Sequence, residues 1–172
     1  IENGHTSIAR KLEQYMKRIP DRNVRYVDGS TKLHIAAKTD DSKELDYILA
    51  SETDLEVRDA NEDTPLMTAA RKGHTTILTK LLEKGASSNP TRIFPLHAAI
   101  QADSKGSVHQ LLSYEADVNA VNGEGKTPLD IAIEVGSTYM VERLLERAGL
   151  DLKPSHLSKA LQHPIEWQRE HF

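Results

Sequence analysis

The chain has 172 residues, 38% of them hydrophobic and 28% charged, which suits one folded domain and argues against a disordered chain. It has no cysteine, which excludes disulfide scaffolds and thiolate metal sites and fits an intracellular setting, cytoplasm or nucleus. A formal charge of -4 gives no basic footprint for nucleic acid, and no apolar run nears the ~18 residues that membrane insertion needs.

The sequence opens on Ile1 rather than methionine, so an excised or processed piece of a longer product is expected. Gly4-His5-Thr6-Ser7-Ile8-Ala9-Arg10-Lys11-Leu12 reads as a helix, with Ile8, Leu12, Tyr15 and Met16 expected to pack on the first full unit. A linker from Ile19 to Tyr26 leads to a turn at Asp28-Gly29. Thr31-Lys32-Leu33-His34-Ile35-Ala36-Ala37 then begins a helix, and Leu45, Ile48 and Leu49 mark a second. Asp41 or Ser42 can cap that second helix.

The most regular stretch runs from Asp63 to Ala86. Thr64 suits an N-cap, and Pro65 suits the first turn, where its missing N–H costs nothing. Leu66, Ala69 and Ala70 share one face, and Gly73 is a stop. Thr75 or Thr76 is expected to cap a second helix carrying Ile77, Leu78, Leu81 and Leu82, which Gly85 ends. Both helices fall below the ~12–15 residues at which an isolated helix is even marginal in water, so neighbours of the same kind are required.

Such neighbours are present. Thr31 lies 33 residues before Thr64, and Phe94-Pro95-Leu96-His97-Ala98-Ala99 begins 30 residues after it. Thr127-Pro128-Leu129-Asp130-Ile131-Ala132 comes 33 residues later. Second-helix stripes recur in phase at Val108, Leu111 and Leu112, and at Met140, Val141, Leu144 and Leu145. Turn residues separate the units at Asp59-Ala60-Asn61 and Asn122-Gly123-Glu124-Gly125. Pro154 to Leu161 reads as another helix, broken by His163-Pro164 before a short segment from Ile165 to Phe172.

This period, with the Thr-Pro-Leu-His-x-Ala pattern, Gly73-His74, Gly85-Ala86 and Glu115-Ala116-Asp117-Val118-Asn119-Ala120, resembles the ankyrin repeat. The resemblance covers roughly Gly4 to Leu152 and implies an all-α solenoid of helix-turn-helix pairs linked by β-hairpin-like loops. The units fall at 1–27 (a half repeat or N-terminal cap), 28–58, 59–89, 90–121 (shortened), 122–152 and 153–172 (C-terminal cap helices). Gly4 to Leu12 aligns with Gly73 to Leu81, so the chain opens in a second helix. Either a longer array precedes it or one helix is the native cap. At the other end, Trp167 with Leu157, Leu161 and Ile165 is expected to seal the last repeat.

Departures from the pattern are informative. Lys32 replaces the motif proline, Asp40-Asp41 the inter-helix glycine, and Phe94 the capping threonine. The hairpin before Phe94 is three residues short, which is expected to leave a notch, with Ile93, Phe94 and Tyr114 around it.

Eight histidines raise a metal or catalytic reading. His34 and His97 occupy the motif histidine, for which the resemblance implies a structural bridge, and His5 and His74 sit at the inter-helix turn. His156, His163 and His171 are too far apart for the close pairs that metal sites use. No nucleophile, base and orienter come together, so neither an enzyme nor a cofactor is expected.

What remains is surface. The resemblance implies a protein partner along a concave ridge of hairpin tips and first-helix ends, held by a monomeric fragment. Carried over by position, the ridge is Asp28, Ser30, Lys38 and Thr39, then Asn61, Asp63, Arg71 and Lys72, then Thr91, Ile93, Gln101 and Ala102. In the fourth unit it is Glu124, Lys126, Glu134 and Val135, and Tyr114 joins from the notch. The alternative is the scaffold or targeting part of a larger enzyme or effector whose catalytic domain lies outside these residues.

Overall fold

A computed structural model describes residues 8, 11, 25–50, 53–89, 94–147 and 149–162. Among these residues there are nine helices and no strand, apart from Ile8 and Lys11, which are also helical. They form four pairs and one unpaired member. These are α1 (Lys32–Thr39) with α2 (Ser42–Leu49), and α3 (Pro65–Lys72) with α4 (Thr75–Glu83). Then come α5 (Pro95–Gln101) with α6 (Lys105–Ser113), α7 (Pro128–Val135) with α8 (Thr138–Leu145), and finally α9 (Pro154–Gln162). None of them is long and apolar enough to cross a membrane.

Packing follows two rows. First helices contact first helices in the order α1, α3, α5, α7, α9, and second helices contact in the order α2, α4, α6, α8. Each helix is too short to stand alone, so stability comes from the shared core between units. That core is Leu33, Leu45, Leu66, Ile77, Leu81, Leu96, Leu111, Leu129 and Met140 with the small Ala37, Ala70 and Ala99, all nearly fully buried. The alanines let the first-helix row approach closely while leucines fill the space between rows.

The helix punctuation differs in places from the sequence reading. The Thr64 hydroxyl accepts from Met67 N–H at 3.3 Å, and Asp41 Oδ1 accepts from Glu44 N–H at 3.0 Å, both as expected. Helix α4, however, is preceded by His74, not capped by Thr75 or Thr76, which lie inside it. His74 instead donates from Nδ1 to the Ala37 carbonyl of the preceding unit at 2.8 Å. Where the inter-helix glycine is missing, aspartate takes the left-handed conformation, Asp40 at φ 56° and Asp103 at φ 49°. Its short polar side chain makes it one of the few residues that visit this region.

The C-terminal end differs from the expected cap. At the other end, Ile8, expected to pack on the first unit, is 57% exposed. Leu12, Tyr15 and Met16 and most of the linker from Ile19 lie outside the described residues, as do Ile165, Trp167 and Phe172. Leu157 and Leu161 do not seal the last repeat: they are 67% and 78% exposed. Helix α9 continues the first-helix row, so it turns His156 and Ala160 inward instead. Among the described residues no second helix lies beyond α8. Leu145 and Leu157 consequently border a trough of about 350 Å³.

Candidate functional site

The hairpins are fixed by side-chain ties that step from one unit to the next. His34 accepts the Thr31 N–H at Nδ1 (3.2 Å), which leaves the proton on Nε2 to donate to the Asp63 carbonyl at 2.9 Å. His97 repeats the second tie, from Nε2 to the Lys126 carbonyl at 3.1 Å. Both are buried, and both bridge a first helix to the next hairpin, as the resemblance implied. Burial lowers the His97 pKa, against the pull of the Lys126 and Ala120 carbonyls, so the ring is neutral.

A second set of ties had no signal in the first-helix motif. Asn89 donates from Nδ2 to the Glu115 carbonyl and accepts from Asp117 N–H at 2.7 Å. Asn119 does the same one unit later, to Gly149 O at 2.6 Å and from Asp151 N–H at 2.8 Å. Asparagine at the same position before the third and fourth units was the clue available in the sequence; before the second unit Glu56 stands there instead, its Oε1 accepting from Ser87 N–H at 2.7 Å.

In the second and fourth units other residues replace the motif histidine. Met67 is fully buried in the second. In the fourth, Asp130 closes a capping box: Oδ2 accepts from Thr127 N–H and Oγ1 at 2.9 and 2.8 Å, and Thr127 Oγ1 accepts from Asp130 N–H. Lys159 of α9 donates to Asp130 Oδ1, so this carboxylate also fastens the terminal helix. Burial pushes the Asp130 pKa up, but the Lys159 ammonium and the Thr127 donors outweigh it and hold it at about 2.

The expected ridge residues separate into three groups. Arg71, Gln101, Glu124, Lys126 and Glu134 come together around one cleft of about 220 Å³, with Phe94, His97, Ala98, Ile131 and Val135. Lys38, Thr39, Asn61, Lys72 and Ala102 are exposed outside it, and Asp28 is exposed with its carboxylate accepting from Ser30 N–H and Oγ. Those hydrogen bonds lower the Asp28 pKa. In the third group, two residues are buried and two lie outside the described residues. Ser30 is buried, because its backbone N–H and hydroxyl close the Asp28 turn. Asp63 is buried and held by Arg71 Nη2 at 2.8 Å, and burial raises its carboxyl pKa against the pull of that guanidinium. Thr91 and Ile93 lie outside the described residues.

Tyr114 is not in the cleft. It comes directly after α6, a second helix, which runs back to the opposite end of the unit, and its carbonyl accepts from Ser88 Oγ. Phe94 lines the cleft, whereas the shortened hairpin before it, where a notch was expected, lies outside the described residues. The Phe94 ring lies 5.3 Å from that of His97, tilted by 39°. Phe94 has no hydroxyl like that of Thr31, which lies 3.0 Å from His34 Nδ1, and His97 Nδ1 has no hydrogen-bond partner among the described residues. On the far wall Lys126 Nζ sits 2.8 Å from Glu134 and 3.1 Å from Glu124, hydrogen bonds that raise its pKa.

The cleft therefore offers salt-bridged charges beside apolar side chains, with no serine, threonine, cysteine or tyrosine among its lining residues. Among the described residues no group of three or more histidines and carboxylates could hold a metal. Comparisons with known proteins agree with the architecture. The family model for ankyrin repeats (three copies) matches residues 1–92 and 87–156. A Danio rerio protein named for the palmitoyltransferase ZDHHC13 is 33% identical over 84% of this chain and 23% of its own length. The tyrosine-protein kinase HTK16 of Hydra vulgaris is 30% identical over 70% of this chain and 16% of its own. The ankyrin repeat and SOCS box protein 11 of Mus musculus is 30% identical over 63% of this chain and 34% of its own. The chain thus spans about a sixth to a third of the length of these curated relatives. With one unit recurring in the sequence, in the pairing of the helices and in the family model, the chain belongs to the ankyrin repeat family.

Proposed function

We propose that this array binds a partner protein along the ridge formed by its hairpin tips and first-helix ends, and that binding, not catalysis, is its activity. Ankyrin repeats are in general protein–protein interaction modules, and the coarse reading follows from membership. The single observation that supports the location is the convergence of Arg71, Gln101, Glu124, Lys126 and Glu134, from three successive units, on one cleft. These side chains stand on helices and tied hairpins, so little ordering cost opposes binding.

The test is affinity capture from the native host's extract, with the double variant Arg71→Glu, Lys72→Glu as control. Loss of the captured protein by a variant whose circular dichroism is unchanged supports the ridge; retention at full affinity overturns it.

A second reading is favoured by one observation, that relatives named as a kinase and a palmitoyltransferase match over only a small share of their own length. In this reading the array is the targeting part of a larger enzyme. Sequencing the complete gene decides it, and a product with no further domain rules it out.

A further inference from the structure

The cleft between the third and fourth units has a chemistry of its own. Its volume of about 220 Å³ is below the range of small-molecule and cofactor sites, ~300–1,000 Å³, and suits one long side chain. Its apolar lining is Phe94, Ala98, Ile131 and Val135, of which Val135 is 42% exposed. One wall carries two carboxylates, Glu124 and Glu134, that share a single ammonium, Lys126, at 3.1 and 2.8 Å. That wall therefore keeps an excess negative charge. On the opposite wall the Arg71 guanidinium is already engaged with Asp63 at 2.8 Å.

A second, independent observation lies in the same cleft. His97 is 5% exposed, lines the cleft, and leaves Nδ1 without a hydrogen-bond partner among the described residues. A buried imidazole acceptor is costly to leave unsatisfied, and Phe94 lacks the hydroxyl that Thr31 places 3.0 Å from His34 Nδ1. Phe94 thus forfeits a cap and contributes an aromatic face. That exchange is unfavourable for the fold and useful to a ligand.

We infer that this cleft receives an arginine or lysine side chain of the bound protein segment. Its methylenes lie on Phe94 and Val135, and its cationic head takes the free acceptor positions of Glu124 and Glu134. Charge orients the rest of the segment. Toward the first unit Lys72 and Lys38 are exposed, while the exposed acids Glu62 and Asp28 are already engaged by Arg58 and Ser30, so an acidic residue of the same segment lies over the lysines. The inference rests on the ridge reading and gives it polarity: a basic anchor over the fourth unit and acidic residues toward the first.

The probe is a phage-displayed library of random twelve-residue peptides, selected on the whole chain. The selected peptides are expected to share a basic residue. A synthetic copy is expected to bind about tenfold more weakly to Glu124→Gln, Glu134→Gln, the scale of a charge-assisted hydrogen bond. Phe94→Thr supplies the discriminating variant. It is expected to raise the melting temperature, by restoring the hydroxyl partner of His97, while weakening the peptide by a similar factor. A merely structural role for Phe94 would not separate these two readouts.

If no peptide is selected, if those selected lack a basic residue, or if they bind the Gln variant at full affinity, the inference is overturned. Peptides without a basic residue that still lose affinity on Arg71→Glu, Lys72→Glu refute the basic anchor alone. Peptides indifferent to both double variants refute the ridge as well.

Discussion

Replacing Asp130 by asparagine tests how the terminal helix is held. Asp130 is 5% exposed, closes the Thr127 capping box and receives the Lys159 ammonium of α9. In Asp130→Asn the isosteric amide keeps the shape and one acceptor but removes the charge. The carboxyl pKa falls from 3.8 to about 2 in the folded protein. At ~1.4 kcal/mol per pKa unit that is about 2 kcal/mol of stability at pH 7. The sign follows from the depression: the contribution is complete above the unfolded value and is lost as pH falls through it toward the folded one. Urea unfolding followed by far-ultraviolet circular dichroism, wild type against Asp130→Asn, should show the full gap at about pH 7. It should show roughly half at about pH 3 and little at about pH 2. If α9 detaches before the rest, the loss appears as faster amide exchange in residues 154–162. A gap that does not change between neutral pH and the acid end would refute the reasoning, because the charge would then contribute nothing.

Three further outcomes are expected. Leu66→Ala, at a fully buried position flanked by units on both sides, should cost about 2–5 kcal/mol in denaturant unfolding, and a loss well below that would mean that the stack closes around the cavity. Leu157→Ala, two-thirds exposed on α9, should cost under ~0.5 kcal/mol, and a larger loss there would mean that Leu157 is covered in solution. Glu115→Gly should stabilise by about 0.5–1 kcal/mol, because Glu115 stands at φ 57° in a left-handed turn where the preceding unit has Gly85 at φ 93°; an unchanged melting temperature would mean that the turn relaxes without strain.

The helix pairs were legible because their signals are local. Thr64, Pro65 and Gly73 mark start and stop, and Leu66, Ile77 and Leu81 fall at helical spacing whatever lies beside them. The motif histidines were legible for the same reason, since His34 and His97 repeat in register. Three features depended on neighbours and were not legible. Leu157 carries the right chemistry for a cap, but its exposure is decided by which row α9 joins. Ser30 and Asp63 are polar residues at ridge positions, yet a turn and an arginine consume them. Tyr114 is close in sequence to the notch unit but at the wrong end of α6. The cleft itself was legible only through Phe94, singled out as a departure from the motif, whereas its paired carboxylates belong to the next unit.

Whether a partner lies on the ridge is tested most directly by an amide chemical-shift map of the isotope-labelled chain titrated with a selected peptide. The largest changes are expected at Arg71, Lys72, Gln101, Glu124, Lys126 and Glu134. Changes confined to the exposed faces of the second helices, at Tyr47, His109 and Glu142, would contradict a ridge-bound partner.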